Sequence, residues 1–291
     1  AELAAIATAT DRLARPTNRP RIDSMRLLLT ALFLLLAGVG ESTAANDRDV
    51  AATWAKAIIA VRIETPDLRR VVLGGRIDAG YIADILHGMS PENPQPAIIF
   101  VHDCGHSYND PESRQQIKFM ASLGYIIFVP DSYARADRPL SCDREERTMA
   151  PDISHESIHT LRREEALYAI EQVLKLPWID HNKIYLGGAG EGADAVLQIE
   201  HEALAGRFAV SPSCTYDVRH VPGTPTLILR SDRDVWYDQD HWPAAIGACE
   251  AAFRTDTSTE IVVVSGALHD PLIYPEARTR FWNFMVRAVF F

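Results

Sequence analysis

The sequence predicts an α/β protein built on a mostly parallel, doubly wound sheet with helices on both faces. Short apolar runs such as AIIFV, YIIFV and TLILR lack polar alternation, as strands covered on both faces do. Longer stretches between them place apolar residues at helical spacing, as in Leu161, Ala166, Leu167, Ile170, Val173 and Leu174. The alternation runs from about Val61 to the end with no internal repeat, low-complexity stretch or linker. Parallel neighbours need a crossover, and the helical stretches supply it.

The elements follow in order. Leu27 to Val39 is the only strongly apolar run, with Arg26 before it and Glu41-Ser42-Thr43-Ala44-Ala45 after it. It is shorter than the roughly 20 apolar residues of a bilayer span. A basic start, a short apolar middle and small residues read as a secretory signal cut after Ala44 or Ala45; a buried helix or an uncleaved anchor is the competing reading. Residues 1–44 are therefore expected to be an upstream extension plus signal peptide, and residues 45–291 a single domain of an exported, periplasmic or secreted protein. Strands are expected at Arg69 to Leu73, Tyr81 to Leu86, Ala97 to Val101, Tyr125 to Val129, Lys183 to Leu186, Phe208 to Val210, Thr226 to Leu229 and Glu260 to Val264. Helices are expected at Ser113 to Leu123, Ile158 to Leu176, Gly192 to Leu204, Trp242 to Arg254 and Pro275 to Val289. The Pro-rich Ser90 to Pro96 reads as a turn before a central strand.

Composition narrows the function classes. A 47% hydrophobic, 23% charged chain is ordinary globular protein, which excludes disorder and fibrous folds. With 29 basic against 39 acidic residues, a net charge of -10 and no basic patch, neither nucleic acid nor an anionic membrane surface is an expected partner. The four cysteines, Cys104, Cys142, Cys214 and Cys249, favour disulfides in an exported chain, and their spacing leaves all three pairings open. None forms a C-x-x-C pair, which sets aside zinc-ribbon and thioredoxin chemistry.

Three segments lie just beyond the carboxyl ends of expected strands, where open α/β sheets put their sites. The first runs Ile184-Tyr185-Leu186-Gly187-Gly188-Ala189-Gly190-Glu191-Gly192-Ala193. The second is Leu227 to Asp234 and ends Ser231-Asp232-Arg233-Asp234. The third, Val262 to Asp270, ends Gly266-Ala267-Leu268-His269-Asp270. Glycine turn, acid and histidine stand in the chain order of the α/β-hydrolases.

With these segments the chain resembles the dienelactone hydrolase family, particularly exported members with several cysteines. The likeness covers roughly Ile82 to Phe284. It includes Phe100-Val101-His102-Asp103-Cys104-Gly105, Gly124-Tyr125 with Val129-Pro130-Asp131-Ser132, Pro212-Ser213-Cys214, Ala248-Cys249-Glu250 and the Gly266 to His269 end. It implies an α/β-hydrolase fold and activity on small carboxylic esters or lactones, with no cofactor and no metal. It assigns His269 as general base and Asp234 as the acid that holds the imidazole tautomer, with Asp232 the near competitor. Oxyanion donors would be the backbone N–H groups of Cys104 and Glu191. Asp103 would stand beside the nucleophile and tune the pocket with His102, and Arg135 would line the mouth and attract a carboxylate. The resemblance also pairs Cys104 with Cys142 and Cys214 with Cys249.

One departure bears directly on chemistry. Where the family carries Ser or Cys in G-x-S-x-G or G-x-C-x-G, this chain reads Gly188-Ala189-Gly190-Glu191-Gly192. Gly190 offers the base nothing to deprotonate, and no Ser, Thr or Cys lies between Lys183 and Leu197 to replace it. Glycine also suits the strained backbone of this turn. Three readings stand: a pseudohydrolase that binds a small ester, lactone or carboxylate; slow hydrolysis by water activated at His269; or an introduced substitution at position 190. Glu191 could itself be a base, although acids in a helix's first turn usually serve the dipole.

A second motif competes. His155-Glu156-Ser157-Ile158-His159 matches H-E-x-x-H, which on a helix presents two imidazoles for zinc. Position 162 is Arg where the longer motif wants Gly, and Glu164, Glu165 and Glu171 are too near to be a third ligand from another helix. A zinc protease is the weakest reading. His102, Cys104 and His106 form a similar cluster that a disulfide at Cys104 would remove.

Overall fold

The computed structural model describes residues 49–65, 68–73, 85–86, 89–104, 111–143, 148–150, 154–237 and 242–290. The expected signal segment, His106 and most of the expected Tyr81 to Leu86 strand lie outside them, while Ile85 and Leu86 are helical. Among the described residues no helix is long and apolar enough to cross a membrane.

The chain order is β1 (Ile58–Thr65), β2 (Leu68–Leu73), β3 (Gln95–Val101), α1 (Pro111–Ser122), β4 (Ile126–Val129), β5 (Cys142–Asp143), β6 (Thr148–Met149), α2 (His155–Val173), β7 (Ile179–Ala189), α3 (Glu191–Leu197), β8 (Leu204–Val210), β9 (Thr226–Ser231), α4 (Ala248–Ala252), β10 (Thr259–Val264) and α5 (Pro275–Phe290). An eight-stranded sheet runs β10-β9-β8-β7-β3-β4-β1-β2, and β5 and β6 form a separate small hairpin. Strands β10 through β4 are parallel, and β1 lies antiparallel between β4 and β2.

Why β3 reads as an unbroken apolar run is visible in its two faces. Ile98 and Phe100 join Ile117, Met120, Phe281 and Met285 from α1 and α5. Ile99 and Val101 join Ala166, Ala169, Ile170 and Val173 from α2 on the other side. The crossover through α1 carries the chain from β3 to β4 in one direction, whereas β7 to β10 build outward in the other. The order therefore reverses at β3 and β7, and a crevice opens beyond their carboxyl ends.

Several boundaries differ from expectation for physical reasons. β1 is not among the expected strands: its IIAVRIET run pairs antiparallel as an added strand ahead of the parallel set. α3 stops at Leu197 rather than Leu204, because the buried Arg207 guanidinium collects the carbonyls of Leu197 (3.4 Å), Ile199 (2.8 Å) and Arg219 (3.1 Å). The expected Trp242 to Arg254 helix is split at Gly247, whose φ of +70° interrupts it before α4.

Candidate active site

Gly190 stands between β7 and α3 with φ +50° and ψ −119°, a backbone that an L side chain rarely adopts. Gly192, two residues on, is required for a different reason: a Cβ there would lie 2.5 Å from the His102 carbonyl oxygen. The two glycines let α3 press against the end of β3 and bring Glu191 N–H beside the loop that follows β3.

That loop carries Asp103, and its carboxylate occupies the space of the missing nucleophile. A Cβ built on Gly190 would lie 2.5 Å from Asp103 Cγ and closer still to Oδ1. Oδ1 accepts from Cys104 N–H at 2.6 Å and from Glu191 N–H at 3.2 Å. The two amides assigned to an oxyanion thus converge on one oxygen, which belongs to the protein itself. Oδ2 faces His269 Nε2 at 3.8 Å, beyond hydrogen-bond length.

His269 follows β10, and its Nδ1 lies 2.8 and 3.0 Å from the two carboxylate oxygens of the buried Asp234. Asp232, the competing acid, is exposed and accepts instead from Gly266 N–H at 2.9 Å, joining the ends of β9 and β10. Ser231 and Ser211 hydroxyls donate to the carbonyls of Leu268 and His269, which fixes the histidine loop. Tyr237 meets the imidazole edge-on with centroids 5.3 Å apart, and Trp236 lies at 5.5 Å. Burial opposes an imidazolium here, but the Asp234 and Asp103 carboxylates outweigh it and hold the His269 pKa up at about 9.

The pocket between these groups has a volume of about 20 Å³, and the aromatic rings of Trp236, Tyr237 and Trp242 line it together with Asp103, Gly190 and Asp194. A single water needs about 10–15 Å³, so the enclosed part of this pocket, which is partly open to solvent, is of water size.

Other expected site residues are placed differently. Arg135 is buried rather than at the mouth, clamped by Asp137 at 2.9 and 3.0 Å and by Glu164 at 3.1 Å. An acid two residues away and another on α2 satisfy its guanidinium more completely than solvent would. His102 is buried behind the pocket instead of lining it: Ser132 N–H and Arg162 Nη1 reach its Nε2 at 3.3 and 3.2 Å, and its Nδ1 lies 2.7 Å from the Asp103 carbonyl. It braces the Asp103 loop. The Glu191 side chain is buried and bound to Arg138 at 2.6 Å, to Arg162 at 3.6 Å and to the Ser141 hydroxyl. This ion cluster commits it to structure rather than to proton transfer.

Cys104–Cys142 and Cys214–Cys249 are bonded, the pairs the family resemblance implies. His155 and His159 do share a face of α2, but both pack on Tyr216, with ring centroids 6.5 and 4.1 Å away. Burial drives the His159 pKa down to about 3, helped by His155 and Arg162. Among the described residues no group of three His, Cys, Asp or Glu is placed to hold a metal.

Sequence reasoning missed Asp194. It is buried on α3, accepts from Ser213 N–H (3.2 Å) and hydroxyl (2.8 Å) and from Cys214 N–H (2.9 Å), and burial raises its pKa to about 6. The available signal was a second acid, after Glu191, in the short and otherwise apolar EGADAVL helix. The aromatic wall carried no signal, since a Trp or Tyr in a loop is commonplace.

The family model of the dienelactone hydrolase family matches residues 84–271. Among solved structures, the protein designated m3DLH aligns at 14% identity over 80% of this chain and 99% of its own, with a TM-score of 0.51. The Pyrococcus furiosus esterase Pf2001 aligns at 13% identity over 78% of this chain and 91% of its own, with a TM-score of 0.50. At such identities the likeness shows the fold. No curated protein matches the sequence. With turn, acid and histidine at the strand ends of a matching fold, the chain belongs to the dienelactone hydrolase family.

Proposed function

We propose that this protein is an exported, single-domain hydrolase, residues 45–291, that acts on small carboxylic esters or lactones and has lost the family's acyl-enzyme route. The observation that carries this reading is the pair formed at the crevice: Gly190 without a side chain, and the Asp103 carboxylate seated on the two amides that would hold an oxyanion. The His269–Asp234 pair remains as a base for water. Two disulfides support export, since such bonds persist in oxidising compartments.

Hydrolysis of a short-chain activated ester tests the reading. Turnover by the unmodified chain is expected to be weak, to rise toward pH 9 as His269 loses its proton, and to vanish in His269→Ala. Gly190→Ser alone gains little, because the serine must displace Asp103. Gly190→Ser with Asp103→Gly frees both nucleophile and amides and is expected to gain at least about 100-fold. Activity unchanged in His269→Ala, or a double variant no better than the single, contradicts the proposal.

A second reading, a pseudohydrolase that binds a small ligand without turnover, is favoured by the same His269 pKa of about 9, which leaves the base protonated near neutrality. It predicts ligand-dependent rises in melting temperature with no ester turnover at any pH.

A further inference from the structure

We infer that Asp103 is a carboxylate nucleophile, and that the site hydrolyses short, uncharged primary alkyl halides through a covalent ester on its Oδ2. The inference rests on the preceding reading only in taking the elbow nucleophile as lost and the His269–Asp234 pair as retained.

The geometry supplies the nucleophile, the oxyanion amides and the base. With Oδ1 held by Cys104 and Glu191 N–H at 2.6 and 3.2 Å, the amide pair is closed to a substrate carbonyl, which disfavours acyl transfer. The same pair is instead aimed at an oxygen of the protein's own carboxyl group, so it can stabilise an oxyanion formed there. Oδ2 is left facing the pocket side with His269 Nε2 at 3.8 Å. An aromatic wall of Trp236, Tyr237 and Trp242 suits a neutral alkyl group, and two carboxylates repel an anionic substrate.

In the first step a lone pair of Asp103 Oδ2 forms a bond to the sp³ carbon while the carbon–halogen bond breaks and its electron pair leaves as halide. Asp103 is now a neutral ester. One of the two carboxylates that hold the imidazolium has lost its charge, so His269 releases its proton to solvent. In the second step neutral His269 takes a proton from water, and the oxygen adds to Asp103 Cγ, placing the negative charge on Oδ1 between the two amides. Collapse breaks the Cγ–Oδ2 bond. The departing alkoxide takes the proton from His269 and leaves as alcohol, and the remaining carboxyl proton returns to His269. The sum is alkyl halide plus water giving alcohol, halide and one proton, with no oxidant or cofactor.

The test uses the full chain and bromoethane. Bromide release by the unmodified protein is expected, with a loss of about 10³-fold or more in the near-isosteric Asp103→Asn. His269→Gln is expected to release one bromide per chain and stall, its Asp103 peptide heavier by one ethyl group. In a single turnover in ¹⁸O-water, the heavy oxygen is expected in Asp103 and not in the ethanol. No bromide release together with no Asp103 adduct in His269→Gln overturns the inference, as does release undiminished in Asp103→Asn or label appearing directly in first-turnover ethanol. An inert ester assay beside a trapped Asp103 ester rejects the ester reading alone, and ester turnover without any adduct rejects only this one.

Discussion

A side chain at position 190 and the Asp103 carboxylate compete for one volume, so the two residues are energetically coupled. Gly190→Ala is expected to cost about 1–3 kcal/mol from the clash plus a positive-φ strain. The clash part should disappear in Gly190→Ala combined with Asp103→Gly, which a double-mutant cycle by urea denaturation would read as a favourable interaction term. His269 gives a second prediction at this scale. Its folded pKa, about 9, is raised above the ordinary histidine value by Asp234, Asp103 and Glu112 against the opposing effect of burial. A raised basic pKa stabilises the fold fully below the unfolded value, and that stability is lost as pH rises through the folded one. Unfolding free energy should therefore fall between about pH 6.5 and 9, by up to about 3 kcal/mol. Denaturation of His269→Gln across the same window should show that slope removed. Gly190, Asp234 and His269 were legible as a constellation because each ends a strand with a recognisable pattern. That Asp103 would take the vacant place was not legible, because it depends on a contact between residues 87 positions apart.

The end of α3 shows how a single buried cation shapes an element. Helix termini leave carbonyls without partners, and Arg207, from the next strand, takes those of Leu197 and Ile199 at this end, along with the Arg219 carbonyl and the Thr226 hydroxyl. Arg207→Met should therefore destabilise the protein by about 2–4 kcal/mol, since it orphans several buried acceptors while keeping side-chain volume. A fall in melting temperature, larger than that of Arg219→Met on the exposed surface, checks it. Periodicity located the body of every parallel strand, because burial on both faces imposes a continuous apolar run. It misplaced the α3 and α4 boundaries, because an arginine in β8 and a left-handed glycine set them.

For the whole molecule, the disulfides close loops with sequence separations of 38 and 35. In the chain-entropy model each bond of that span is worth about 4 kcal/mol, so reduction should lower the melting temperature markedly. Each Cys pair replaced by Ala should lower it separately. Unreduced, denatured protein should titrate no free thiols. Four free thiols would contradict both the bonding and the case for export.

The sequence by itself determined the fold class, the family and the loss of the elbow side chain, because these follow from strand-length apolar runs and from short motifs contiguous in the chain. Tertiary structure alone decided what the loss means. Only the packing of α3 against the end of β3 brings Glu191 N–H onto the Asp103 oxygen that the neighbouring Cys104 N–H already holds, with His269 Nε2 near the other oxygen. Distances between the ends of different strands are fixed by sheet order and register, and no local pattern encodes them.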